Sequence, residues 1–315
     1  MKTLQCVLFL LSFSLQAQAP NSFIDLVFEK DLIPEGIAVD IQSGKLFINS
    51  LKHDKIVQCN LDGTDAKDFI QRKEYGYLAG FGMTIKGDIL YALGNSLPKD
   101  NNKSILLLLD ITTGDLIKSY PLDNPEFIYL NDIAVSNHGS VFITDSETNN
   151  IYTINPSSDH LEVFYSNDEI KHSNGIAISD NDKYLYFASY TSGIRVLDIA
   201  TQKLVNQSNE HKGIDGMKFY ENSLITIINS RRDASENGVY KFHLNKEQTN
   251  ILQQQKLMPF RHPSDIPTTF DLVNNSIYFI ADSQMDMLNQ QTNEIIDASN
   301  LENYQLIIRK LESAD

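Results

Sequence analysis

The chain has 315 residues, 42% apolar and 21% charged, a globular composition that excludes a disordered polymer and allows one large domain or two small ones. A formal net charge of -15 offers no basic surface, so neither nucleic acid nor an anionic membrane is an expected partner, whereas cations are. Of the two cysteines, Cys6 lies in the first twenty residues, and Cys59 alone cannot form an intramolecular disulfide, so the fold must rest on its core or a metal.

In chain order, the first segment, "MKTLQCVLFLLSFSLQAQA", has the anatomy of a secretory signal: Lys2, an apolar run from Val7 to Leu15, and an A-x-A site at Ala17 to Ala19. It predicts cleavage after Ala19 and export to the periplasm or the medium, with residues 1–19 as leader and 20–315 as a single domain. No later segment reaches about 18 uninterrupted apolar residues, so no membrane span is predicted.

A strand-like run follows at Ser22 to Lys30, and then one outline recurs six times: a short opening triplet, an apolar strand, a turn and a second strand. The repeats open at Glu35 (EGIAVD), Phe81 (FGMTIKGDILYAL), Asn131 (NDIAVSNHGSVFITDS), Asn174 (NGIAISDNDKYLYFAS), Asp215 (DGMKFYENSLITIIN) and Thr268 (TTFDLVNNSIYFIADS), at offsets of 46, 50, 43, 41 and 53 residues. Further strand-like runs such as "DKIVQCNLDG" and "SILLLLDITTG" fall between them, each closed by turn residues. About four short strands per unit, without a helical period, describe an all-β array, and closing six units into a ring protects their sheet edges. The predicted fold is a six-bladed β-propeller with a central channel; a pair of β-sandwiches is the alternative. Pairing Ser22 to Lys30 with the alternating run from Tyr304 to Glu312 would complete the last blade and lock the ring.

The innermost strands of a propeller surround its channel, so equivalent positions from all blades face a common axis. The triplets open on Glu35, Phe81, Asn131, Asn174, Asp215 and Thr268. Two carboxylates and two amides make an all-oxygen donor set for a hard divalent cation, and without one the two acids would repel each other. Asn, Asp and Gly also open strands simply because they form turns, and for one triplet alone that explanation suffices. Four oxygen donors at one repeat phase favour a metal. Glycine follows at Gly36, Gly82, Gly175 and Gly216, where it permits close backbone approach and unusual dihedrals.

The motifs "PEGIAVD" (Pro34 to Asp40), "LNDIAV" (Leu130 to Val135), "SNGIAISDNDKYLYFAS" (Ser173 to Ser189) and "IDGMKF" (Ile214 to Phe219) resemble, in this order, those of the gluconolactonase, senescence marker protein (regucalcin) and luciferin-regenerating enzyme family. The resemblance covers nearly all of the chain after the leader. It implies a six-bladed propeller with one divalent cation at the channel mouth, Ca²⁺ first and Mg²⁺, Mn²⁺ or Zn²⁺ as alternatives. The implied ligands are Glu35, Asn131, Asn174 and Asp215, with Asp215 also the implied catalytic base. Sugar-lactone members commonly carry an arginine two residues before the first ligating asparagine, where this chain has Tyr129, so the implied substrate is a lactone or related small ester rather than a specified sugar lactone. Phe81, Tyr129 and Thr268 are the expected substrate-lining residues, while His172 near Asn174 and the pair Arg231 and Arg232 are weaker candidates for proton transfer and anion contact. The expected function is an exported metal-dependent hydrolase; the alternative is a non-catalytic calcium-binding propeller that holds a small molecule or a protein partner.

Overall fold

The run Ile105-Leu106-Leu107-Leu108-Leu109 shows how the apolar pattern is used. Ile105, Leu107 and Leu109 pack against Ala38, Phe47 and Ile56 on one side, while Leu106 and Leu108 meet Ile133, Val141 and Ile143 on the other. A strand sandwiched between two neighbouring sheets buries both alternating faces, so it reads as a continuous apolar run instead of an alternating one.

The computed structural model describes residues 21–98, 102–123, 127–230 and 233–312. The expected leader and the Arg231–Arg232 pair lie outside the described residues. Six four-stranded antiparallel sheets form the blades of a propeller. Blade 1 runs through Ile37–Asp40, Lys45–Asn49, Ile56–Asn60 and Lys67–Ile70. Blade 2 comprises Ala79–Lys86, Ile89–Asn95, Lys103–Asp110 and Leu116–Asp123. Blade 3 comprises Leu130–Val135, Val141–Asp145, Asn150–Asn155 and His160–Ser166. Blade 4 comprises Ser173–Ile178, Tyr184–Ser189, Gly193–Asp198 and the short Lys203–Leu204. Blade 5 comprises Ile214–Tyr220, Ser223–Ile228, Gly238–Leu244 and Ile251–Met258.

Blade 6 takes three strands from the C-terminal part, Asp271–Val273, Ser276–Ile280 and Tyr304–Lys310, and its fourth from Ser22–Leu26. Ser22 pairs with Ile308 and Leu26 with Tyr304, so the two ends of the chain lock the ring as expected. The core is divided accordingly. Six apolar clusters each lie mainly at the junction of two successive blades, the last joining Ile37, Val39 and Leu46 to Tyr278, Ile280 and Leu306. Each fully buried Leu or Ile in such a layer contributes about 1.5–3 kcal/mol relative to exposure.

Blade 6 also carries an insertion between its second and third strands, a small hairpin of Leu288–Asn289 and Glu294–Ile295. Leu288 and Leu301 join the apolar cluster that holds Ile33, Leu51, Phe81 and Tyr129, and Lys52 reaches the hairpin at the Asn293 carbonyl and, at 3.3 Å, Glu294. The insertion therefore lies against the blade 1 to blade 3 side of the ring. Among the described residues no helix is long and apolar enough to cross a membrane.

Candidate metal centre

Three of the four candidate ligands are delivered by a local irregularity. In blade 3 the ladder runs from Leu130 opposite Asp145 to Ile133 opposite Ile143, so Asn131 and Asp132 share one partner position. The same shift sets Asn174 and Gly175 between Ser173 and Ile176 in blade 4, and Asp215 and Gly216 between Ile214 and Met217 in blade 5. Blade 2 repeats it at Phe81 and Gly82. A bulge places two residues against one and turns the extra side chain out of the pleat, which is how an inner strand can aim a residue at the channel mouth. Glu35 stands just before the first inner strand, its backbone N–H donating to Asn49 Oδ1 at 3.2 Å.

Glycine beside the ligands acts through space alone. A Cβ on Gly36 would lie 2.1 Å from the Phe81 carbonyl oxygen of the next blade, and one on Gly175 would lie 2.4 Å from that of Asp215. Neither residue, nor Gly82 nor Gly216, has positive φ, so the unusual dihedrals expected from the sequence are not used.

All four expected ligands present the same anomaly. Glu35 Oε2, Asn131 Oδ1, Asn174 Oδ1 and Asp215 Oδ1 are each buried with no hydrogen-bond partner among the described residues. Leaving a buried polar oxygen unpaired costs about 1–3 kcal/mol. The other unpartnered side-chain atoms, on Ser192, Arg195, Thr226, Gln248, Ser283 and Asn293, are not at this repeat phase. Burial pushes the Glu35 carboxyl well above the usual carboxylate range, with the nearby carboxylates of Asp215 and Asp132 adding to the effect. Burial likewise raises Asp215 to about 7, against the lowering effect of hydrogen bonds from Asn229 and Asn174. Four unpaired oxygens, two of them on mutually repelling acids, are a donor set that fits a hard divalent cation.

Just beyond this level the buried acids are satisfied. Asp132 accepts from the backbone N–H groups of Ile133 at 2.8 Å and Ile176 at 3.2 Å, and Lys218 Nζ stands 3.8 Å from it. Asp271 accepts from Val39 N–H at 2.7 Å and Leu272 N–H at 2.8 Å. Burial raises both carboxyls, and the Lys218 ammonium opposes that rise. A separate group, Glu29, Asp31 and His53, already has partners of its own: His53 Nε2 lies 2.9 Å from Asp31, and Lys55 Nζ lies 2.7 Å from Glu29.

A cavity of about 340 Å³ opens beside Asn174 and Asp215, lined also by Ser146, His172, Ser189, Tyr190 and Ser230 among others. The expected wall residues stand elsewhere. Thr268 donates its hydroxyl to the Glu35 carbonyl at 2.8 Å, as Thr269 does at 2.9 Å, which turns the opening threonines of blade 6 into a buttress. Phe81 and Tyr129 pack edge to face at 4.4 Å within the apolar cluster between blades 2 and 3. Burial pushes the Tyr129 phenol far up, and the Glu35 charge adds to that. His172 does line the cavity, its Nδ1 held 2.8 Å from the Ser146 carbonyl.

Sequence reasoning missed a second ring of residues, at the ends of the second strands. Asn49 donates to the Phe81 carbonyl, Asn95 to that of Leu130 at 2.8 Å, Thr144 to that of Asn174 at 2.7 Å and Asn229 to that of Pro267 at 2.9 Å. Each bond reaches the opening of the next blade. For the asparagines the signal is visible in the chain: Asn49-Ser50, Asn95-Ser96 and Asn229-Ser230 recur at one phase with Asp145-Ser146 and Asp282-Ser283, and with Ser189-Tyr190 in blade 4, whereas Thr144 stands one residue before it. In blade 4 Ser189 turns back to the Lys171 carbonyl at 2.9 Å, and the cavity opens beside it.

Residues 33–225, more than half of the chain, match the sequence profile described as SMP-30/Gluconolactonase/LRE-like region. No curated protein matches by sequence. Among solved structures, the chain is similar to a gluconolactonase from Xanthomonas campestris, at 13% identity and TM-score 0.60, over 92% of this chain and 90% of that one. It is similar to a luciferin-regenerating enzyme at 14% identity and TM-score 0.58, over 94% and 98% of the two chains. A virginiamycin B lyase from Staphylococcus aureus shares the fold at 15% identity and TM-score 0.57, over 93% and 99%. At such identities the structural likeness carries the fold, and the profile carries the kinship: the chain belongs to the SMP-30/gluconolactonase/luciferin-regenerating enzyme family.

Proposed function

We propose that the protein is a divalent-cation-dependent hydrolase of a lactone or related small ester, with Glu35, Asn131, Asn174 and Asp215 as the ligands and Ca²⁺ as the first choice of ion. The observation that carries this reading is the set of four buried, unpartnered oxygens at one repeat phase, two of whose residues line the cavity. Membership of the family supports it.

The cation, when bound, supplies polarisation of a substrate carbonyl and counter-charge for the oxyanion that develops there. Asp215, on the cavity wall, takes the proton of the attacking water. Hydrogen-bonding groups around it orient the substrate: the hydroxyls of Ser146, Ser189 and Ser230, whose protons go to the carbonyls of Ser173 and Lys171 and to Asn229 Oδ1, offer lone pairs that accept from its hydroxyl groups. With its Nδ1–H donating to the Ser146 carbonyl, a neutral His172 offers Nε2 as an acceptor. Tyr190, 65% exposed at the rim, provides an aromatic face for the substrate body.

The test is a calorimetric calcium titration followed by turnover of a lactone and aryl-ester panel, with Asp215→Ala and Asn174→Ala as controls. Calcium-dependent turnover lost in both variants supports the reading. Calcium binding with turnover no greater than that of the variants would replace it with a calcium-binding propeller that performs no catalysis.

A further inference from the structure

We propose that Asn229 is a positioning residue that holds one oxygen of Asp215 and so decides which oxygen is left for a cation; this rests on the cation-site reading above. Asn229 Nδ2 donates to Asp215 Oδ2 at 2.5 Å and to the Pro267 carbonyl at 2.9 Å. Two amide protons thus serve two acceptors. Its Oδ1 accepts from Ser230 Oγ at 2.9 Å, its N–H donates to the Gly213 carbonyl at 3.2 Å, and its own carbonyl accepts from Asn237 at 3.1 Å. Reversing the amide would set its oxygen against the Pro267 carbonyl, which cannot donate, so that carbonyl fixes the orientation. The consequence is an asymmetric carboxylate, Oδ2 held and Oδ1 unpartnered.

Asn229 differs from the other residues that join blades at this level. Asn49, Asn95 and Thr144 reach the carbonyls of Phe81, Leu130 and Asn174, whereas Asn229 also engages the side chain of a candidate ligand. Its second bond goes to Pro267, directly before Thr268, whose hydroxyl donates to the Glu35 carbonyl at 2.8 Å. Blade 6 supplies none of the four candidate oxygens. Instead it braces the two acids that flank it, Asp215 from blade 5 through Asn229 and Glu35 from blade 1 through Thr268. Partners of this kind orient a ligand, and their removal weakens metal binding by roughly 10–100-fold.

The experiment is a calcium titration by calorimetry of the parent, Asn229→Ala and Asn95→Ala, alongside thermal melts of each metal-free protein. Asn95→Ala removes a comparable link between blades without touching a ligand side chain, so it reports the structural cost. The expected result is a roughly 10–100-fold weaker affinity in Asn229→Ala, with the affinity of Asn95→Ala held near that of the parent while both melts fall. Should Asn229→Ala not fold, Asn229→Ser keeps one donor and is expected to lose a smaller part of the affinity. Parent-like affinity in Asn229→Ala, or an equal loss in Asn95→Ala, overturns the proposal. A parent that takes up no calcium overturns the cation site itself, and the role of Asn229 with it.

Discussion

Glu35 and Asp215, at the openings of blades 1 and 5, are buried acids, and so are Asp132 and Asp271, on the inner strands of blades 3 and 6. The second pair is satisfied by four backbone N–H groups and a nearby ammonium, Lys218; each of the first pair keeps an oxygen with no partner. Burial alone therefore does not mark a ligand. What separates the two pairs is whether the surrounding donors are already engaged with them, and of these four acids only Glu35 and Asp215 keep an unpaired buried oxygen.

The largest effect should come from Asp215→Ala, with calcium affinity down by more than about 100-fold, beyond the loss typical of an outer partner. Metal-free stability should hold or rise, because a buried carboxyl with an unpaired oxygen has gone. A metal-free protein destabilised as strongly as its calcium binding is weakened would break the comparison. Lys218→Met tests the other pair. It should cost about 3 kcal/mol in urea unfolding near pH 8, the cost of leaving a buried charge without its partner. The loss should shrink as pH falls, since burial raises the Asp132 and Asp271 carboxyls and favours their uptake of protons.

Saturating calcium, at 100 times its dissociation constant, should add about 2.7 kcal/mol, and a chelator should remove it. In the metal-free protein Asp215 rises from an ordinary value of 3.8 to about 7. Between those values the folded state holds a proton that the unfolded state releases, so stability from this group is full at low pH and is lost as pH rises through about 7. Thermal midpoints from pH 4 to pH 8 should fall without calcium and flatten with it. The smallest effect belongs to Thr268→Val, about 1 kcal/mol, because Thr269 still donates to the Glu35 carbonyl. A loss of calcium affinity comparable to that of Asp215→Ala would instead give Thr268 a direct place in the site.

The ring, its six blades and its closure by the chain ends were legible because repeats constrain each other: any one strand was ambiguous, and six in phase were not. The same phase picked out Glu35, Asn131, Asn174 and Asp215, the residues with the unpartnered oxygens. At Thr268 and Phe81 the phase did not foretell the contacts, because equivalence in phase does not fix what a side chain bonds to: one hydroxyl turns to a carbonyl and one ring turns into an apolar layer. The bulges that aim the ligands have no residue signature of their own beyond the glycines. Asn229 went unread because its partner, Pro267, is 38 residues away and belongs to another blade.

The strand that completes the last blade, Ser22–Leu26, is made first and finds its partner, Tyr304–Lys310, last. At synthesis rates of about 5–20 residues per second, the first strand waits roughly 15–60 s for the other to emerge. Glu35 is braced by Thr268 and Thr269, which are also late arrivals. A nascent chain stalled before residue 268 can hold five blades in series but has no closed mouth, so calcium uptake would time the moment at which the ring shuts.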